Sequence, residues 1–65
     1  MRINVLAIKR LLSGAGMTQR ALSAASGVHM SVISATLARG SCSIKTAGRL
    51  AAALGVDIYD IALEE

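Results

Sequence analysis

Proline, phenylalanine and tryptophan are absent from this sequence, Tyr59 is its one tyrosine, and no acidic residue comes before Asp57. Each absence removes a class of function. Without rings for bases to stack on, a platform for RNA or single strands has no support. With almost no aromatic residues, a chain that is 54% hydrophobic must build its core from Ala, Leu, Ile, Val and Met, which without proline suit short packed helices. Cys42 is the lone cysteine and His29 the lone histidine, so there is no intramolecular disulfide and no ligand set for structural zinc. Both fit a reducing cytoplasm. With no carboxylate before Asp57, no Ser, His and acid converge on one site, and no enzyme is expected. Gly14-Ala15-Gly16 lacks the Lys-Ser/Thr of a phosphate loop and follows no strand, so no cofactor or small-molecule ligand is implied.

At 65 residues the chain has room for one core, hence one domain over residues 1–65. The uncharged stretch from Ala21 to Ala38 is long enough for a membrane span, but Ser23, Ser26, Ser31, Ser34, Thr36 and His29 interrupt it and Gly27 sits in its middle. No membrane is expected. The apolar run from Ile3 to Ile8 is too short for a signal peptide and stops at Lys9 and Arg10.

Arg2, Lys9, Arg10, Arg20, Arg39, Lys45 and Arg49 are the seven cations, whereas Asp57, Asp60, Glu64 and Glu65 all fall at the end of the chain, for a net charge of +3. An acid-free basic body attracts polyanions, and an acidic end points away from them. A basic surface also serves solubility alone.

Val5, Ile8, Leu11 and Leu12 recur at helical spacing, so a first helix covers roughly Asn4 to Ser13. Gly14 and Gly16 break it. Thr18 caps a second helix, Gln19 to about Ala25, with Ala21, Leu22 and Ala25 on one face and Met17 as a hydrophobic staple. Gly27 stops that helix, and a third, from about Met30 to Ala38, turns Ile33 and Leu37 inward. Arg39 and Gly40 end it, Ser43 caps a fourth with Ala47, Leu50, Ala51 and Leu54 as its stripe, and Gly55 closes that one. Asp57 caps a short last helix with Asp60 in its first turn and Ile58, Ile61 and Ala62 as its packing face. The expected fold is all-α, five short helices.

From Thr18 to Ser34 the residues have the spacing of a helix-turn-helix unit: Ser23 lets the helices approach, Gly27 takes the positive φ of the turn, and Val28 and Ile33 plug the angle. Together with Ser43-Ile44-Lys45-Thr46-Ala47 and the run from Leu50 to Val56, the sequence resembles the Cro/CI-like (XRE-type) phage-repressor family over Ile8 through Leu63. The resemblance implies a lambda-repressor-like domain that regulates transcription by binding double-stranded DNA, its third helix in the major groove. It also implies Met30, Ser31, Ser34 and Ala35 facing bases, with Gln19, Arg20, Arg39 and Lys45 on the phosphate backbone. Two departures stand out. An Arg and a Glu that commonly pair in this family are replaced by Leu12 and Leu37, a joint loss that keeps the fold plausible. The third helix also lacks Arg, Asn and Gln, the strongest base readers, so discrimination should be modest.

Arg39 and Lys45 also read as solvated helix-end charges, Ser31 and Ser34 as ordinary surface residues, and His29 is assigned no role. Cys42 is in a polar loop near Arg39 and Lys45, cations able to lower a thiol pKa, but with no acid-base partner beside it the thiol reads as incidental. Ile58, Ile61 and Leu63 offer more apolar surface than a short helix can bury, which implies a homodimer through the chain end. The rival reading is a protein-interaction module of the same fold, such as an antitoxin, anti-repressor or accessory factor, docking through Met30, Val32 and Ala35.

Overall fold

A computed structural model describes residues 1–63; Glu64 and Glu65, two of the four acids in the charge pattern, lie outside the described residues. Four α-helices follow one another: α1 (Val5–Gly14), α2 (Gln19–Ser26), α3 (Met30–Arg39) and α4 (Ile44–Leu54), and a single 3-10 turn, Ile58–Asp60, comes after them. Each helix begins where a side chain satisfies a first-turn amide. Asn4, Thr18 and Ser43 accept from the amides of Ala7, Ala21 and Thr46. Asp57 and Asp60 bracket the 3-10 turn, Asp57 accepting from the Tyr59 amide and Asp60 from that of Asp57.

The fifth helix that the sequence implies is therefore one turn only. After Asp60 the backbone is needed elsewhere: the Asn4 amide donates to the Ile61 carbonyl at 2.7 Å and the Leu63 amide to the Arg2 carbonyl at 3.0 Å. On the other side of the N-terminal segment the Ile3 amide donates to the Gly40 carbonyl and the Cys42 amide to the Met1 carbonyl. Residues 1–4 thus form the middle ply of a short antiparallel ribbon, with Arg2 bridged to Ser41 and Ile3 to Ala62. This strap ties both chain ends to the α3–α4 loop. Its one inward side chain, Ile3, joins the core.

That core also holds Ile8, Leu12, Leu22, Val28, Ile33, Ala47, Leu50, Ala51 and Ile61, with Leu37 packed against it. Leu12 and Leu37, in place of the ion pair, meet one apolar cluster, and no desolvated charge has to be compensated there. The inward stripe of α2 is rotated from the expected one. Ala21 and Ala25 are exposed, and Ser23 and Ser26 lie half-buried beside the buried Leu22. Serine can occupy that position because its polar atoms are satisfied: Ser23 Oγ donates to the Val28 carbonyl at 2.6 Å, and Ser26 Oγ accepts from the Val28 amide. Ile61 is 0% exposed. It is a core residue of its own chain, so the dimer face expected from Ile58, Ile61 and Leu63 loses its central member.

No single helix among the described residues is long and apolar enough to cross a membrane, and the uncharged run is split between α2 and α3, whose axes turn through 116°.

Candidate nucleic-acid interface

The 116° turn is the structural centre of the site. Gly27 sits at φ 73°, a left-handed conformation that a residue with a Cβ adopts at a cost, and its amide donates to the Ser23 carbonyl. Val28 then plunges into the core while His29 returns to the surface. The Ser23 and Ser26 bonds to Val28 lock the bend from the side-chain layer, so the direction in which α3 leaves is set by the end of α2. Such a near-perpendicular pair, with its second helix presented outward, is the helix-turn-helix arrangement.

α3 buries Ile33 and Thr36 and exposes Ser31, Val32, Ser34, Ala35 and Ala38. A groove of about 300 Å3 runs along the exposed side, with Ser31, Val32, Ala35 and Arg39 on its α3 wall, and Ser41, Cys42 and Ser43 of the α3–α4 loop and Thr46 of the first turn of α4 opposite. Of the residues expected to face bases, Ser31 and Ala35 are brought into this groove. Ser34 is exposed outside it, and Met30 is half-buried at the start of the helix. Of those expected on phosphates, Arg39 lines the groove and Lys45 lies in the first turn of α4, next to Thr46. Gln19 and Arg20 open α2 and are exposed, outside the groove lining.

Two features of the site escape the sequence reading. Ser43 and Thr46 are groove walls as well as a cap, Ser43 Oγ donating to Thr46 Oγ1 at 3.0 Å. The pattern Ser-x-x-Thr ahead of an apolar stripe announces the cap but not the groove. His29 is the N-cap of α3, its Nδ1 accepting from the Ser31 amide at 3.1 Å. Histidine is an uncommon cap, so residue type alone gives no sign of it.

Burial pushes the Cys42 thiol above the ordinary value of 9.0, outweighing the nearby N-terminal ammonium. The half-buried thiol is thereby made less, not more, nucleophilic at neutral pH.

A family model described as Helix-turn-helix matches residues 8–61, which runs from within α1 through the 3-10 turn and contains the whole groove. No curated protein and no solved structure matches the chain significantly.

Proposed function

The chain belongs to the helix-turn-helix family, of the XRE or Cro/CI-like type, and from that premise we propose that it binds double-stranded DNA as a transcriptional regulator of the repressor kind. The observation that carries this reading is the groove beside α3, walled by small neutral residues and ended by Arg39, with Lys45 adjoining. Small uncharged side chains let a helix approach base edges closely, while flanking cations neutralise phosphates. No carboxylate in residues 1–56 opposes that approach. Ser31, Ser34, Ala35 and Met30 make the base-facing set, and Gln19, Arg20, Arg39 and Lys45 hold the backbone. With no bidentate reader on α3, preference for one sequence over another is shallow.

The proposed binding form is a homodimer, which would set two α3 helices in successive major grooves. Its contact rests on Tyr59 and Leu63, 76% and 41% exposed, with the half-buried Ile58 beside them. Tyr59→Asp leaves the fold intact and yields a monomer of lower duplex affinity by sedimentation; a monomer both before and after the substitution removes the dimer, and a dimer that survives it removes this contact. A reducing cytoplasm is the proposed setting, as the solitary Cys42 suggests.

Titration with random duplex DNA at rising salt tests the main reading. About four phosphate contacts per protomer give log affinity against log salt a slope of about −3 to −4. A flat dependence contradicts it. The second reading, a protein-docking module, is favoured by Val32, 42% exposed beside Ala35 in the same groove, and would account for a flat dependence.

A further inference from the structure

We propose that His29 is a specificity-determining residue: it accepts the hydrogen bond of the Ser31 hydroxyl and leaves that serine able only to accept toward DNA, so α3 selects a base that offers an amino group, adenine or cytosine, on the strand that Ser31 faces. The assignment rests on the DNA reading above and sharpens it.

A backbone N–H only donates, and the Ser31 amide points at His29 Nδ1 at 3.1 Å, so that nitrogen carries a lone pair and the ring proton is on Nε2. The Ser31 hydroxyl lies 2.8 Å from the same Nδ1. Facing a lone pair at that distance, Ser31 Oγ can only be the donor. Its single proton is then spent inside the protein. What remains toward the groove, which Ser31 lines, is a pair of acceptor sites.

A free serine hydroxyl rotates to suit either a donor or an acceptor and therefore reads little. In the major groove, adenine N6 and cytosine N4 are donors, while guanine O6 and N7, adenine N7 and thymine O4 are acceptors, so each base pair shows one amino donor and an acceptor-only serine senses which strand carries it. An acceptor-only Ser31 is repelled by the second group. Ser34 provides the internal control, since its hydroxyl makes no hydrogen bond with the other described residues and keeps the usual freedom. The cap itself reinforces the arrangement: holding the Ser31 amide, Nδ1 also fixes where the Ser31 side chain starts.

The test is selection of bound duplexes from a randomised pool, together with nitrogen-15 NMR of the His29 ring in the free protein. His29→Gly removes the acceptor while keeping a tolerated N-cap, and His29→Asn returns a side-chain oxygen able to accept from both the amide and the hydroxyl of Ser31. Ser31→Ala marks which base position depends on this serine. At that position the wild type favours adenine or cytosine by about fivefold, the worth of one net hydrogen bond. His29→Gly brings the preference close to none with affinity for the unselected pool nearly unchanged, and His29→Asn restores it. A preference that survives His29→Gly, or one that is unchanged when the adenine or cytosine there is replaced by an analogue lacking its amino group, overturns the assignment while leaving DNA binding intact. A ring protonated at Nδ1 and not Nε2 overturns it without any DNA. Loss of salt-sensitive binding by the wild type itself overturns the DNA reading, and this assignment with it.

Discussion

α3 has two faces under opposite constraints. Inward, Ile33 and Thr36 are buried and Leu37 packs against the core, so their shape decides whether the domain folds. Outward, Ser31, Val32, Ser34 and Ala35 are exposed and contribute little to stability, so their chemistry is free to serve recognition. A charge placed on one face is a folding defect and on the other a change of partner. The contrast separates what the helix needs to exist from what it does.

Neighbouring substitutions give the largest expected contrast. Ile33→Asp buries a carboxylate with no counter-charge at a site 1% exposed, at a cost of several kcal/mol, comparable with the whole stability of a small domain. No cooperative thermal transition should remain by circular dichroism. Ser34→Asp, one residue on and exposed, leaves the transition within about 0.5 kcal/mol of wild type. It nevertheless weakens duplex binding at least about tenfold, because a negative charge is brought into the groove of a polyanion. If both variants melt alike, the two faces are not distinct.

Next in size comes the apolar replacement of the family's ion pair. Leu12→Arg alone strands a cation in the core and lowers stability by about 3 kcal/mol, and adding Leu37→Glu recovers part of the loss. Denaturant titration of the two singles and the double reads the coupling; a double variant no more stable than the sum of the singles would show that these positions do not meet.

Smaller again, Arg39→Ala and Lys45→Ala leave stability unchanged but weaken binding to every duplex alike, each lowering the salt slope by about one. An altered base preference with an intact slope would reassign that residue from phosphate to base. Smallest is Ser34→Ala, which keeps affinity for random duplex within about twofold and only lowers the preference for selected sites. Competition binding with single-base-pair changes measures it.

The inner face of α3 is legible in the sequence because burial imposes a period, and Ile33 and Leu37 follow it. The turn is legible for the same kind of reason: Gly27 supplies a conformation few other residues tolerate. The caps at Thr18, Ser43 and Asp57 announce themselves by residue type. What stays hidden depends on contacts between distant segments. Nothing in Met1 to Asn4 foretells that this stretch pairs with 40–42 on one side and 61–63 on the other, and that pairing is what draws Ile61 into the core and cuts the last helix to one turn. The α2 stripe misleads because alanine is apolar but small, whereas Ser23 and Ser26 reach partners only the turn provides. On the candidate site, the cations and serines could be named in sequence, but the groove exists only once the loop 41–43 and the start of α4 fold back against α3.

The central claim is that the outward face of α3 meets DNA, and backbone amide NMR of the labelled protein titrated with a short random duplex tests it most directly. The shifts should concentrate in Met30, Ser31, Ser34 and Ala35, in the first turns of α2 and α4 around Gln19, Arg20 and Lys45, and at Arg39, with the exposed residues Leu6 and Arg10 of α1 unmoved. Shifts centred on α1, or none at duplex concentrations that saturate binding, would contradict it.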